Sequence, residues 1–336
     1  MVTISAPFAC AAIACAVALV VSWRQDPRRL RNGVFAVLAL ARPQWGFAWE
    51  EVSQKGLDIV VLNWPEGGKS RTWNRFVHEQ ARPQADMLVF CDADIQFVTE
   101  RTIENLLDFM SGHPDVAASS SVPIKDIDHF PQKLNLVEHL ISASGGKLFN
   151  TRHAICGQLY AARPAAIRDV RMPVGLPVED GFIRHMIITD LMSRPVDESV
   201  IDQAPDVQHV YESERKIFNL IRHQIRLVIG GAINKVVFDH LSTVNAMSGR
   251  EGVRQDLLAS LSNPDWLPAI LRQRLPDPDY GWVPRPFLMQ RLVRFAESPN
   301  RGLRARAILG IGFTFDLVVY VCAQFKMWRG TGVGYW

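Results

Sequence analysis

Charge of one sign is what this sequence lacks most plainly: 37 Lys and Arg stand against 34 Asp and Glu over 336 residues, a formal net charge of +3. So mild a balance gives no reason to expect nucleic acid as a partner. Cysteine is sparse as well. The five cysteines, at 10, 15, 91, 156 and 322, have neither paired nor metal-like spacing, which excludes a disulfide scaffold and reads as packed, reduced thiols. His-Glu-x-x-His, Cys-x-x-Cys and Gly-x-Ser-x-Gly are absent, which removes the commonest zinc and serine-hydrolase readings. There are no internal repeats or low-complexity tracts. What remains is a chain that is 48% apolar, enough for a substantial core.

Long apolar runs lie near both ends. Ile4 to Trp23 carries no charge over twenty residues, enough helix to cross a hydrocarbon core of about 30 Å. Arg24, Arg28, Arg29 and Arg31 follow it, so residues 1–23 are expected to be a retained anchor with the remainder in the cytoplasm at the inner plasma membrane. Arg291, Arg294, Arg301, Arg304 and Arg306 precede a second apolar segment, Ala307 to Phe325, broken by Asp316 and followed by Lys326 and Arg329. Residues 305–336 could therefore span a membrane or lie in its interface.

Between these runs strands and helices alternate. Val34 to Ala41, Leu57 to Leu62, Met87 to Cys91, Val116 to Val122 and Ala154 to Ala162 read as strands. Lys69 to Arg82, with Trp73, Phe76, Val77 and Gln80 on one inward face, reads as a helix; so do Glu100 to Met110, Phe130 to Ser144 and Glu179 to Leu191. Glu214 to Asn234 reads as an amphipathic helix whose Arg215, Lys216, Arg222, His223 and Arg226 suit a membrane surface. Six prolines between Pro264 and Pro286 interrupt any regular element there and mark a linker or a belt wrapped around the domain, within a stretch, 241–304, expected to be a Pro-rich linker with amphipathic helices. The expected class is α/β, a mostly parallel sheet flanked by helices, with a catalytic domain at 24–240.

The chemistry concentrates at ADMLVFCDADIQF, where an apolar strand ends in Asp92 and Asp94. Side chains two apart on an extended chain point the same way, so both carboxylates can reach one ligand. Two anions this close favour a cation between them, and oxygen donors suit a hard divalent metal with phosphate ligands. Capping or turn formation explains a lone Asp-x-Asp equally well, and capping charge explains Glu179 and Asp180 at a helix start. His209 in VQHVYES reads as a structural histidine.

Taken in order, GGKSRTWN, LVFCDADIQF, CGQLYAAR, LPVEDGFIRHMI and a basic helix containing HQIRL resemble the membrane-bound family 2 glycosyltransferases with a GT-A fold. The resemblance covers Leu57 to about Asn234. It implies a GT-A-like, Rossmann-like domain, a nucleotide-sugar donor, a lipid-linked or membrane-proximal acceptor, and Mg²⁺ or Mn²⁺ as cofactor. Residue by residue, it implies that Asp94 holds the metal with Asp92 on nucleotide or metal, and that Lys69 and Asn74 line the donor pocket. Gly157 and Gln158 would lie beneath the acceptor, Asp180 would be the catalytic base with Glu179 the acid before it, and Arg226 would face the diphosphate. One displacement by one base inverts the anomeric configuration. Two other readings stay open. A membrane-bound sugar-nucleotide binder without turnover follows from the missing Pro-x-x-Asn-Glu-like strand between Arg24 and Gly56. A P-loop nucleoside triphosphatase follows from strand, Gly-Gly-Lys-Ser and helix, although Asn63 occupies the first glycine position.

Overall fold

The computed structural model describes residues 35–39, 58–62, 68–92, 94–130, 138, 152–298 and 302–330. The expected anchor at 1–23, the turn at 63–67 and nearly all of the expected helix at 130–144 lie outside the described residues. The chain divides into two compact units, one reaching to Met172 and taking in Glu179–Ser213, the other made of Pro173–Val178 and Glu214–Tyr335. The second unit thus starts before residue 240, because a single 46-residue helical run, Ile217–Ser262, passes through that position.

In the first unit β1 (Phe35–Ala39) pairs in parallel with β2 (Asp58–Leu62). Helix α1 (Lys69–Arg75) continues as a π turn, Phe76–Gln80, in which Ala81 N–H donates to the Phe76 carbonyl at 2.8 Å. The wider turn shifts the inward face of the helix: Trp73, Phe76 and Val77 are buried, while Gln80, expected inward, is exposed. Then come β3 (Leu88–Cys91), β4 (Ile95–Phe97), α2 (Thr102–Gly112), β5 (Ala118–Lys125), α3 (Asp126–His129), β6 (Leu159–Ala162), α4 (Pro164–Ile167), α5 (Glu179–Ile188) and β7 (Ile201–Tyr211).

The sheet corrects the expectation of mostly parallel strands. Its order is β3-β6-β5-β7-β4, and only β5 and β7 run parallel; β3–β6, β5–β6 and β4–β7 are antiparallel. The sequence reading missed β7 because Asp202, Gln203, Pro205, Asp206 and Gln208 interrupt any apolar run. Pro205 is tolerated because the β5–β7 register jumps from Ser120↔Gln203 to Val122↔Gln208, so its missing N–H falls where no ladder bond is needed. The expected strand from Ala154 shortens to Leu159–Ala162 because Leu159 N–H closes a turn on the Cys156 carbonyl at 3.2 Å.

Alternation along β3 builds two apolar layers. Met87, Val89 and Cys91 join Leu106, Leu107 and Met110 of α2 with Leu159, Ala161, Ala204 and Val207. On the other face Phe90 stacks on Tyr160 at 4.5 Å and on Trp73 at 6.0 Å, and Trp73 Nε1–H donates to Tyr160 Oη at 2.9 Å. Emptying such a site by Phe90→Ala costs about 3–5 kcal/mol. This stack fixes α1 against the strand that ends in Asp92.

In the second unit α6 (Ile217–Ser262) breaks at Gly249, whose φ of 64° and ψ of −168° leave the helix. The chain folds back there: His240 Nε2 lies 3.0 Å from Asp256 Oδ2, whereas sixteen residues of straight helix would separate them by about 24 Å. Helix α7 (Trp266–Arg274) forms within the stretch from Pro264 to Pro286, where the prolines argue against a regular element. Pro268 falls in its first turn, where no intrahelical N–H bond is lost. Helices α8 (Pro286–Glu297) and α9 (Leu303–Trp328) follow.

Helix α9 buries Val319, Ala323 and Met327 and pairs several of its polar groups within the protein. Asp316 receives a bidentate bond from Arg291 of α8, Nε at 2.6 Å and Nη2 at 3.1 Å. Tyr320 Oη donates to the Val283 carbonyl, and Gln324 bonds Trp282 N–H, the Tyr280 carbonyl and the Val283 carbonyl. Ile308, Ile311, Leu317, Val318, Val321, Phe325 and Trp328 face out, exposed.

Candidate active site

Four segments of the first unit converge on one point. Lys69 opens α1, Asp92 is the residue after β3, Gly157 lies in the turn before β6, and Asp180 is the second residue of α5. Lys69 Nζ donates to both carboxylate oxygens of Asp92 at 3.1 Å and to the Gly157 carbonyl at 3.3 Å. A methyl group placed on Gly157 would meet Asp180 Cβ at 3.3 Å, Asp180 Oδ2 at 3.5 Å and Lys69 Nζ at 3.6 Å. The glycine therefore leaves a space that the Asp180 carboxylate and the Lys69 ammonium both border. Asp92 N–H donates to the Gln158 carbonyl at 2.8 Å, locking the strand end to the same turn.

The electrostatics match this crowding. Burial works to lower the Lys69 pKa, but Asp92, Glu179 and Asp180 outweigh it and hold the ammonium above its usual value. Burial raises the Asp92 carboxyl, Lys69 opposes that, and Asp94 and Asp180 add to it; the net direction is upward. Burial, then Asp92 and Asp94, push the Cys91 thiol up to about 12, so it is a packing group rather than a nucleophile. One ammonium thus faces Asp92, Glu179 and Asp180, with Asp94 beside them, an acid-rich surround that favours added positive charge.

Of the residues singled out from sequence, Lys69, Asp92, Gly157 and Asp180 come together, and Glu179 is close enough to act on Lys69. Asp94 is exposed beside Asp92. Asn74 does not join them: it is buried, its Nδ2 donating to the Met172 carbonyl at 2.7 Å and its Oδ1 accepting from Met172 N–H at 2.9 Å, so its amide clamps backbone. Arg226 lies on α6 in the second unit. Gln158 is reached through His209, which is fully buried. Ser121, on the other side of that ring, was not singled out; the run Ser119-Ser120-Ser121 within a strand was its only signal.

Among the described residues no group of three or more His, Cys, Asp or Glu is arranged around a metal position. Asp92 and the exposed Asp94 nonetheless offer carboxylate oxygens only. That donor set fits a hard divalent ion drawing its other ligands from a diphosphate and water.

No family model and no curated protein matches the sequence. Among solved structures, similarity extends to a mannosyltransferase from Pyrobaculum calidifontis in complex with GDP-Man and Mn²⁺, 15% identical over 87% of this chain and 78% of that one, TM-score 0.47. It extends also to mannosyl-3-phosphoglycerate synthase from Rubrobacter xylanophilus, 17% identical over 54% and 56%, TM-score 0.36. A mycobacterial protein is 15% identical over 61% and 65%, TM-score 0.35. What the fold and site define by themselves is an α/β protein with a lysine–carboxylate cluster at the end of an apolar strand.

Proposed function

We propose that the protein transfers a sugar from a nucleotide diphosphate donor to a hydroxyl on a lipid-linked or membrane-proximal acceptor, with inversion at the anomeric carbon. The observation that carries this reading is the meeting of Lys69, Asp92 and Asp180 around the side-chain-free Gly157. In the proposed reaction Asp180 takes the proton of the acceptor hydroxyl, and that oxygen bonds to the anomeric carbon. The bond from that carbon to the diphosphate breaks, leaving its electron pair on the diphosphate. Lys69 offers positive charge beside the leaving group, and Glu179 helps keep it protonated. Asp92 and Asp94 would hold Mg²⁺ or Mn²⁺, which when bound neutralises charge growing on the diphosphate.

The test is transfer and hydrolysis with a panel of UDP- and GDP-sugars, with and without Mn²⁺, and product configuration read by NMR. Metal-dependent transfer with inversion is expected. Tight sugar-nucleotide binding without turnover would replace the enzyme with a binder, and ATP hydrolysis without sugar-nucleotide dependence would favour the P-loop reading.

Membrane attachment belongs to the same proposal, with the first unit on the cytoplasmic side as the arginines after Trp23 suggest. Residues Ala305–Trp328 are long and apolar enough to cross a bilayer, and α9 pairs Asp316, Tyr320 and Gln324 within the protein while Ile311, Val318, Val321 and Phe325 stay exposed, which suits a helix facing lipid. Single cysteines at Val318 and Val321 should resist water-soluble maleimides in vesicle-bound protein. Full labelling would overturn the attachment.

A further inference from the structure

Val178 ends the short segment Pro173–Val178 of the second unit, and the residue peptide-bonded to it, Glu179, opens α5 with Asp180 behind it. Two residues of α6 take hold of Val178. A methyl group on Gly230 would lie 2.3 Å from Val178 Cγ2, 2.9 Å from its Cβ and 3.2 Å from its backbone nitrogen, so only a glycine lets the helix come this close. One turn on, Asn234 Nδ2 donates to the Val178 carbonyl at 2.9 Å. Residues four apart share one face of a helix, so the notch and the clamp act on the same residue.

Neither residue suits its place for the helix's own sake. Glycine weakens a helix interior, and Gly230 and Gly231 stand side by side well inside α6. Asn234 is buried, and its Oδ1 meets no hydrogen-bond donor among the described residues. An apolar side chain would leave no such acceptor unmet. Gly231 answers to a different neighbour: a methyl group on it would lie 2.7 Å from Phe287 Cζ of α8. That contact packs one helix on another, whereas Gly230 and Asn234 weaken α6 in order to hold the chain that leads directly into the acid pair. Ordinary contact begins at 3.4 Å, so a methyl group at 230 would drive Val178 back by about 1 Å, a displacement that costs a catalytic base about tenfold to a hundredfold.

We propose that Gly230 and Asn234 are positioning residues for the transfer: through Val178 they fix where α5 starts, and with it the carboxylates of Glu179 and Asp180. Their part in the reaction rests on the transferase reading, in which Asp180 is the base; their grip on Val178 does not.

The experiment compares Gly230→Ala, Asn234→Ala and Gly231→Ala in the full chain. Hydrogen exchange read by mass spectrometry reports the grip: the amides of Phe182 and Ile183, the first in α5 with acceptors inside the helix, should exchange faster in the first two variants than in the wild type or Gly231→Ala. With whichever sugar nucleotide of the panel is turned over, kcat per donor-binding site should fall about tenfold or more in Gly230→Ala and Asn234→Ala, with donor Kd unchanged. In Gly231→Ala it should stay within about twofold of the wild type. Residues that serve stability alone would lower the number of binding sites and leave kcat per site as it was, and that result would overturn the proposal. Gly231→Ala matching Gly230→Ala would overturn it as well, since packing anywhere on α6 would then suffice. Should Gly230→Ala not fold, Asn234→Ala carries the same test. A panel with no turnover would defeat the transferase reading and the role in transfer with it, while the exchange rates still decide the grip: rates that neither variant alters would refute it.

Discussion

Replacing Lys69 by Met removes the ammonium that faces Asp92 while keeping most of its volume, and the geometry sets how much stability should go with it. Lys69 Nζ lies 3.1 Å from both Asp92 oxygens. Two unit charges at that distance attract by about 5 kcal/mol at an effective dielectric constant of about 20. Desolvation of the pair and the 37% exposure of the Lys69 side chain reduce the net loss to about 1–2 kcal/mol, or about 3–6 °C in Tm for a unit of this size. The pH dependence is the sharper test. Asp92 has a folded pKa above its ordinary 3.8, so the stability it contributes is present below that value and is lost as pH rises through the folded value. Without Lys69 that folded value rises further and the loss extends to higher pH. Lys69, also raised, contributes below 10.5 and loses its contribution above its folded value. The Tm difference between wild type and Lys69→Met should therefore be largest from about pH 7 to 9 and shrink toward about pH 4. Thermal melts of both proteins, with Asp92→Asn and the double variant completing a cycle, measure it. A Tm difference that does not change with pH, or a coupling between 69 and 92 of zero, would refute the pairing.

Other consequences are as direct. Asp180→Asn should lower transfer by about 10²–10⁴-fold with donor affinity nearly unchanged, measured by turnover and by titration with the same sugar nucleotide. Asp94→Ala should lose the Mn²⁺-dependent part of donor binding, read by calorimetry with and without the metal. Gly157→Ala puts a methyl group 3.3 Å from Asp180 Cβ, so transfer should fall about tenfold or more while Tm stays within about 2 °C; unaltered kinetics would mean the space is not used. Arg291→Ala strands Asp316 on α9 and should weaken recovery of the protein in membranes, with Arg291→Ala/Asp316→Asn restoring it. Fractionation of expressing cells distinguishes the three proteins.

Much of the site was legible in the sequence because strong local rules wrote it there. Five apolar residues running into Asp92 specify a buried strand with acids at its end, and GluAsp before an apolar periodicity specifies a helix start at 179. Gly157 was reached through the motif CGQLYAAR. Strand β7 was not legible, because its polar residues answer to partners distant in sequence: Asp202 receives Arg152 at 2.9 Å and His209 pairs with Ser121 at 2.7 Å. Asn74 looked like a ligand and is a backbone clamp for the same reason, since Met172, ninety-eight residues on, claims both ends of its amide.

By itself, then, the sequence determined where chain segments are apolar, where they turn, and which short stretches carry acid or base, since those properties depend on neighbours within a few positions. Only the tertiary structure decided that strands β3, β6 and β4 run against their neighbours, that Lys69 reaches Asp92 and borders the same space as Asp180, and that Asp316 pairs with Arg291. Such pairings depend on distances between residues far apart along the chain, and no local periodicity encodes those.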